Sequence, residues 1–143
     1  MTTARLAEIL QPSLKRVRQL TELGPDWDSY GALSPSREAI GAACGFLETV
    51  AERLGGLVGA SIAPYTIVPL AGGGVQLVWR GPGGEFELEV GAPGTLAYLL
   101  IQGQGTERRF SEAASVSSDE AVRLVAQILT PEAAGQRDRE YRR

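Results

Sequence analysis

Two groups of carboxylates are the first places to look for chemistry. The stretch GPDWDSYGALSPS, residues 24–36, sets Asp26 and Asp28 on either side of Trp27, with Tyr30 and Gly31 close behind. Farther along, Glu85, Glu87 and Glu89 alternate with apolar residues in EFELEV. On a strand this alternation puts all three carboxylates on one face, about 7 Å apart. Such an array admits a hard cation or an acid–base pair. Each group also has a plainer reading. Asp26 and Asp28 bring too few oxygens for a calcium site and lack the glycine and distal glutamate of an EF-hand. Aspartate at such positions closes turns and caps helices. The glutamates are accounted for by Arg80 and solvent.

The rest of the inventory narrows the chemistry. The chain has no histidine, which removes Ser-His-Asp and Cys-His nucleophile systems and the usual zinc sites. Cys44, the single cysteine, falls on the apolar side of a helix and reads as a small core residue. It has no partner for an internal disulfide. The glycines lie between strands rather than between a strand and a helix, so they make neither a dinucleotide fingerprint nor a phosphate loop. No catalytic residue, metal ligand or cofactor is assigned.

Positioning these groups requires a fold. At 143 residues and 43% hydrophobic content, the chain suffices for one domain that buries roughly two thirds of its unfolded surface. Apolar residues recur every three or four positions from Leu6 through Leu10, Leu14, Val17 and Leu20, a helical stripe that Pro12 is expected to break near Gln11. Ser34 and Pro35 read as an N-cap and first turn for a second helix, through Ile40, Ala43, Leu47 and Val50 to Leu54, ended by Gly55 and Gly56. Ser117 and Glu120 form a capping box for a third helix that stops before Pro131. Between the last two helices, apolar runs alternate with AGGG, GPGG, GAPG and GQG, the grammar of an antiparallel meander. Strands are expected near 65–70, 75–80, 85–90, 95–102 and 106–110. The fold class is α+β: two N-terminal helical segments, a five-stranded meander and one C-terminal helix. Residues 1–130 form the domain, and 131–143, rich in charge and poor in apolar residues, read as a disordered tail.

Strand registers follow from turn length. A four-residue turn at 81–84 pairs Arg80 with Glu85, Val78 with Glu87 and Gln76 with Glu89. The opposite face then pairs Trp79 with Phe86, Leu77 with Leu88 and Val75 with Val90. If the turn at 91–94 has the same length, Ala97, Leu99 and Ile101 continue the core face, while Leu96, Tyr98 and Leu100 emerge among the glutamates. Across the GQG turn, Arg108 and Phe110 fall beside Leu100 and Tyr98. The fourth strand is apolar on both faces, and Val78, Leu96, Tyr98, Leu100, Arg108 and Phe110 become a candidate interface.

In the loop, Trp27, Asp28, Tyr30 and Gly31 read as a structural plug, the two aromatic rings buried and Gly31 relaxing a tight corner. With its following helix and the later VQLVWR strand, DWDSYGALSPS resembles a group of small bacterial proteins of unknown function that share a W-D-x-x-G-A signature and a strand containing Leu-x-Trp. The resemblance runs over residues 22–128 and rests on Trp27, Asp28, Gly31, Ala32, Pro35 and Trp79. It implies a shared fold and carries no catalytic residue with it.

The partners expected are a protein or a second copy of the chain. Fourteen Lys and Arg against seventeen Asp and Glu give a formal charge of -3, which points to no nucleic-acid surface overall. The basic cluster Lys15, Arg16 and Arg18, with Arg137, Arg139, Arg142 and Arg143, is the only route to nucleic acid. No run reaches the ~18 apolar residues of a membrane helix. The start MTTARLAEIL lacks the apolar stretch of a secretory signal, and a cytoplasmic protein is expected. The favoured function is a noncatalytic interaction module, of antitoxin-like, immunity, adaptor or phage and mobile-element type, binding through its sheet. The alternative is a metal-dependent hydrolase or nucleotide-processing enzyme using Asp26, Asp28 and the glutamate strand.

Overall fold

The computed structural model describes residues 3–57, 61–103 and 105–131. Helices stand where apolar residues recur every three or four positions, and strands where they alternate. Helix α1 (Thr3–Gln19) and a 3₁₀ turn (Leu20–Glu22) lead through the tryptophan loop to α2 (Arg37–Leu54). Strands β1 (Thr66–Pro69), β2 (Val75–Gly81), β3 (Gly84–Val90), β4 (Leu96–Gln102) and β5 (Arg109–Ala113) follow, and α3 (Ser118–Leu129) closes the order. The five strands form one antiparallel sheet in the order of the chain, so the fold is α+β with a meander. No described helix is long and apolar enough to cross a membrane.

Both later helices are capped as their sequences require, with one displacement. The α2 N-cap is Ser36, two residues beyond the expected Ser34: its hydroxyl accepts from the Ala39 amide at 3.0 Å and donates to the Ala92 carbonyl at 2.6 Å. The cap therefore also ties the helix start to the β3–β4 loop. Ser117 caps α3 by accepting from the Glu120 amide at 3.1 Å. Glu120 does not complete the box, because its carboxylate is taken by Arg123. Contrary to expectation, α1 runs unbroken through Pro12. Pro12 and Glu8, whose carbonyl loses its helical donor, are both exposed, so water can serve that carbonyl.

The β2–β3 register is as read from the sequence, with Trp79 opposite Phe86 and Arg80 opposite Glu85. Gly81 pairs with Gly84, leaving Pro82 and Gly83 as the turn. That turn lies flush against the end of α3. The Gly83 amide donates to the Ile128 carbonyl at 2.9 Å, and a Cβ on Gly81 or Gly83 would stand 2.5 or 2.7 Å from a helix carbonyl oxygen.

The next turn is where the expected register fails. Val90 pairs with Leu96, not Thr95, and the Gly91 amide donates to the Thr95 carbonyl at 2.8 Å. Residues 92–94 thus form a three-residue loop, with Gly94 at φ 89°, the left-handed residue such loops require. One additional residue exchanges the faces of β4. Leu96, Tyr98 and Leu100 join the core side, and Ala97, Leu99 and Ile101 lie among the glutamates. The fifth strand is also displaced from 106–110 to 109–113, because Gly105–Glu107 form a 3₁₀ turn.

The core fills the space between one sheet face and the helices. Leu10, Leu14 and Val17 of α1, Ala43, Phe46, Leu47 and Val50 of α2, and Val122, Val125 and Ile128 of α3 meet Leu77, Trp79, Phe86, Leu88 and Leu100 of the sheet. An aromatic row crosses it, Phe46 to Trp79 to Phe86 to Tyr98, with ring centroids 5.6, 6.2 and 5.6 Å apart. The Trp79 indole donates to the Ile62 carbonyl at 2.9 Å, so the largest buried side chain leaves no polar atom unpaired.

Candidate functional site: the helix-free sheet face

The other sheet face carries Gln76, Val78 and Arg80 of β2, Glu85, Glu87 and Glu89 of β3, Ala97, Leu99 and Ile101 of β4, and Phe110 and Glu112 of β5. None of its apolar residues belongs to or packs against the core cluster. The register builds an apolar column on β4 with carboxylates on both flanks. Leu99 lies between Glu87 and Glu112, Ile101 between Glu85 and Phe110, and Ala97 beside Glu89. Phe110 is 63% exposed, while Leu99 and Ile101 are half-buried among their neighbours. A concavity of about 580 Å³ lies over the Ala97–Leu99 end of this column, walled by Glu87, Glu89 and Glu112 and completed by Tyr98, Ala113 and Ala114.

Carboxylates outnumber cations on this face, Glu85, Glu87, Glu89 and Glu112 against Arg80 and Arg108. Arg80 is engaged by Glu85, and its guanidinium lies 4.2 Å from the centre of the Tyr65 ring. No described ion pair reaches Glu87, Glu89 or Glu112. Burial, followed by the negative charge and hydrogen bonding of Glu85 and the charge of Glu89, holds the Glu87 carboxyl above the usual glutamate range. The site therefore favours apolar contact with a cation beside it. Among the described residues, no group of three or more His, Cys, Asp or Glu side chains is placed to hold a metal ion.

The six candidate interface residues are divided between the two faces. Val78 and Phe110 lie on the helix-free face, but Val78 is only 4% exposed and offers a partner no surface; Arg108 sits with its guanidinium 5.6 Å from the centre of the Phe110 ring. Leu96, Tyr98 and Leu100 face the helices and pack on the core. Leu99, Ile101 and Glu112 take their place. The signal that would have located them is GAPGT, where glycine as third loop residue marks an odd-length hairpin.

The tryptophan loop is a self-contained hydrogen-bonded unit. The Asp28 carboxylate accepts from the amides of Tyr30 and Ala32 at 2.8 and 3.0 Å, and the Tyr30 amide chiefly lowers its pKa. Asp26 accepts from the Gly31 amide at 2.6 Å, while its own amide donates to the Ala32 carbonyl at 2.7 Å. Gly31 has φ 82°, and Asp26 and Ser29 also take positive φ, 62° and 64°. Aspartate tolerates that region better than most residues. Both carboxylates are thus spent on the loop's own backbone. Trp27 is half-buried, its indole donating to the Leu33 carbonyl at 2.9 Å. Tyr30 is 92% exposed and Trp27 neither joins the core cluster nor packs against it, so neither aromatic ring is the core anchor expected of the loop.

Cys44 is half-buried, and burial raises its thiol pKa, away from the thiolate a nucleophile needs. Lys15, Arg16 and Arg18 are exposed on α1. The charged tail from residue 132, with Arg137, Arg139, Arg142 and Arg143, lies outside the described residues. Comparison of the chain with protein-family models, curated proteins and solved structures finds no match.

Proposed function

We propose that the protein is a noncatalytic interaction module whose helix-free sheet face receives a basic, apolar-containing segment of another protein. One observation carries this reading: Ala97, Leu99, Ile101 and Phe110 form an apolar surface edged by Glu87, Glu89 and Glu112. An antiparallel sheet with one solvated face normally alternates polar residues there, and a strand apolar on both sides has surface to offer a partner. The carboxylates select the partner's charge. A second copy placed face to face would set glutamates against glutamates, whereas a segment carrying Lys or Arg answers them.

The reading is tested by titrating the ¹⁵N-labelled protein with two synthetic extended peptides, one alternating Lys with Val and Leu, the other with Glu in place of Lys. The basic peptide is expected to shift the amides of Glu87, Glu89, Leu99, Ile101 and Glu112, to weaken as salt is added, and to bind poorly to Leu99→Lys. Equal binding of the acidic peptide, or shifts confined to residues 24–36 or the helices, overturns it.

A further inference from the structure

The two edges of the sheet are finished differently. At the β1 edge the strand has four residues and ends at Pro69, which has no amide to offer a neighbour. Just beyond it, the Leu33 amide donates to the Ala71 carbonyl at 2.8 Å and the Leu70 amide to the Gly74 carbonyl at 2.9 Å. Short strands and proline are the usual means of closing an edge. The β5 strand is one residue longer, five against four, and contains no proline. Among the described residues it pairs only with β4, and Arg109, Phe110, Ser111 and Glu112 are all exposed. The chain then leaves inward, the Val116 amide donating to the Leu96 carbonyl at 3.0 Å, so the following segment does not cover the outer edge.

The residue order at this edge is complementary to itself. Antiparallel pairing of β5 with its twofold copy, centred on Phe110, sets Phe110 against Phe110, Arg109 against Ser111, and Arg108 against Glu112 twice, once on each side of the axis. Arg108 already lies beside the Phe110 ring, on the side where Glu112 projects. Other registers do not share this match. A shift by one residue along the chain opposes outward-directed backbone groups to inward-directed ones. A register centred on Ser111 sets Phe110 against Glu112, and one centred on Arg109 sets Arg109 against itself, a like-charge pair.

We propose that the chain self-associates through β5, two copies pairing edge to edge about Phe110 so that their sheets become one continuous sheet. A twofold interface of this kind is closed and ends at the dimer. It leaves the helix-free faces of both copies open on the same side but takes up Phe110 and Glu112 at their margin, so it goes beyond the partner reading above and, where both hold, confines that partner to Glu87, Glu89, Ala97, Leu99 and Ile101.

The test is a charge exchange followed by sedimentation velocity over a concentration series, with circular dichroism to verify folding. Wild type is expected to be dimeric. Arg108→Glu alone and Glu112→Arg alone should each raise the dimer dissociation constant on the order of tenfold or more, since two attractive pairs become repulsive. The double variant R108E/E112R should return it to near the wild-type value. Both positions are exposed, so the single variants stay folded, and Phe110→Lys supplies a third disruption independent of the ion pairs. A wild type that is monomeric throughout the series, single variants as dimeric as wild type, or a double variant that fails to recover each overturns the proposal.

Discussion

The two faces of this sheet use the same residue classes to different ends. On one, Trp79, Phe86 and Leu88 are fully removed from solvent by α2 and α3. On the other, Leu99, Ile101 and Phe110 offer similar apolar surface with no described helix over it. A fully buried aromatic or aliphatic side chain contributes about 1.5–3 kcal/mol by burial, so stability is concentrated on the helix side. On the open face Val78 is buried, at 4% exposure, while Leu99 and Ile101 are half-buried and Phe110 is 63% exposed, so the last three contribute less to folding. Apolar surface that the fold leaves open is available to a partner.

Trp79→Ala should produce the largest effect, a loss of about 3–5 kcal/mol, because it empties the centre of the aromatic row and strands the Ile62 carbonyl. Urea denaturation measures it, and a loss below about 1 kcal/mol would show the helix side to be loosely packed. The sharpest contrast uses adjacent residues on one strand. Tyr98→Glu should cost about 2 kcal/mol or more by placing a charge against the core, while Leu99→Glu should stay within about 0.5 kcal/mol of wild type. The reverse order would restore the shorter hairpin and exchange the two faces.

That contrast also marks how much was legible in the residues. The β2–β3 register could be read because GPGG separates two strands whose apolar alternation leaves one admissible pairing. The β4 register could not, because LAYLLI is apolar at every position and matches the core in either orientation; only the parity of the GAPGT loop decides it. The three helices were legible from periodicity, and the cap of α2 was not: Ser34 and Ser36 are both suitable, and the choice is made by the Ala92 carbonyl, far along the chain. The loop read as an aromatic plug, but Tyr30 is exposed and Trp27 bonds within the loop rather than packing on the core; the residue types alone do not distinguish a loop closed on its own backbone from one anchored in the core. The acidic border was visible as Glu85, Glu87 and Glu89, but Glu112 joins it only through the β4–β5 pairing.

Smaller effects separate the loop and the open face from the core. Trp27→Ala should cost about 1–2 kcal/mol, the loss of one hydrogen bond and partial burial, clearly less than Trp79→Ala in the same urea series. The smallest effect belongs to Glu87. Its folded pKa is raised, so the folded state binds the proton more tightly than the unfolded chain does, and ionisation opposes folding above that pKa. Glu87→Gln should therefore raise the melting temperature slightly at neutral pH. The advantage should shrink as pH falls through the raised pKa and vanish below the ordinary glutamate value. An advantage that grows on acidification would show instead that Glu87 is stabilised as a carboxylate.

The contact of the Pro82–Gly83 turn with the end of α3 has a consequence for exchange rates. The Gly83 amide is held by the Ile128 carbonyl, a partner contributed by the helix, while the Leu88 amide lies within the central ladder. If α3 detaches as a unit while the meander persists, Gly83 gives up its proton through that partial opening and Leu88 waits for global unfolding. If the molecule opens only all at once, the two amides share one free energy of exchange. Deuterium uptake at a single glycine thus gauges whether the last helix is an integral part of the cooperative unit or a separable foldon seated on it.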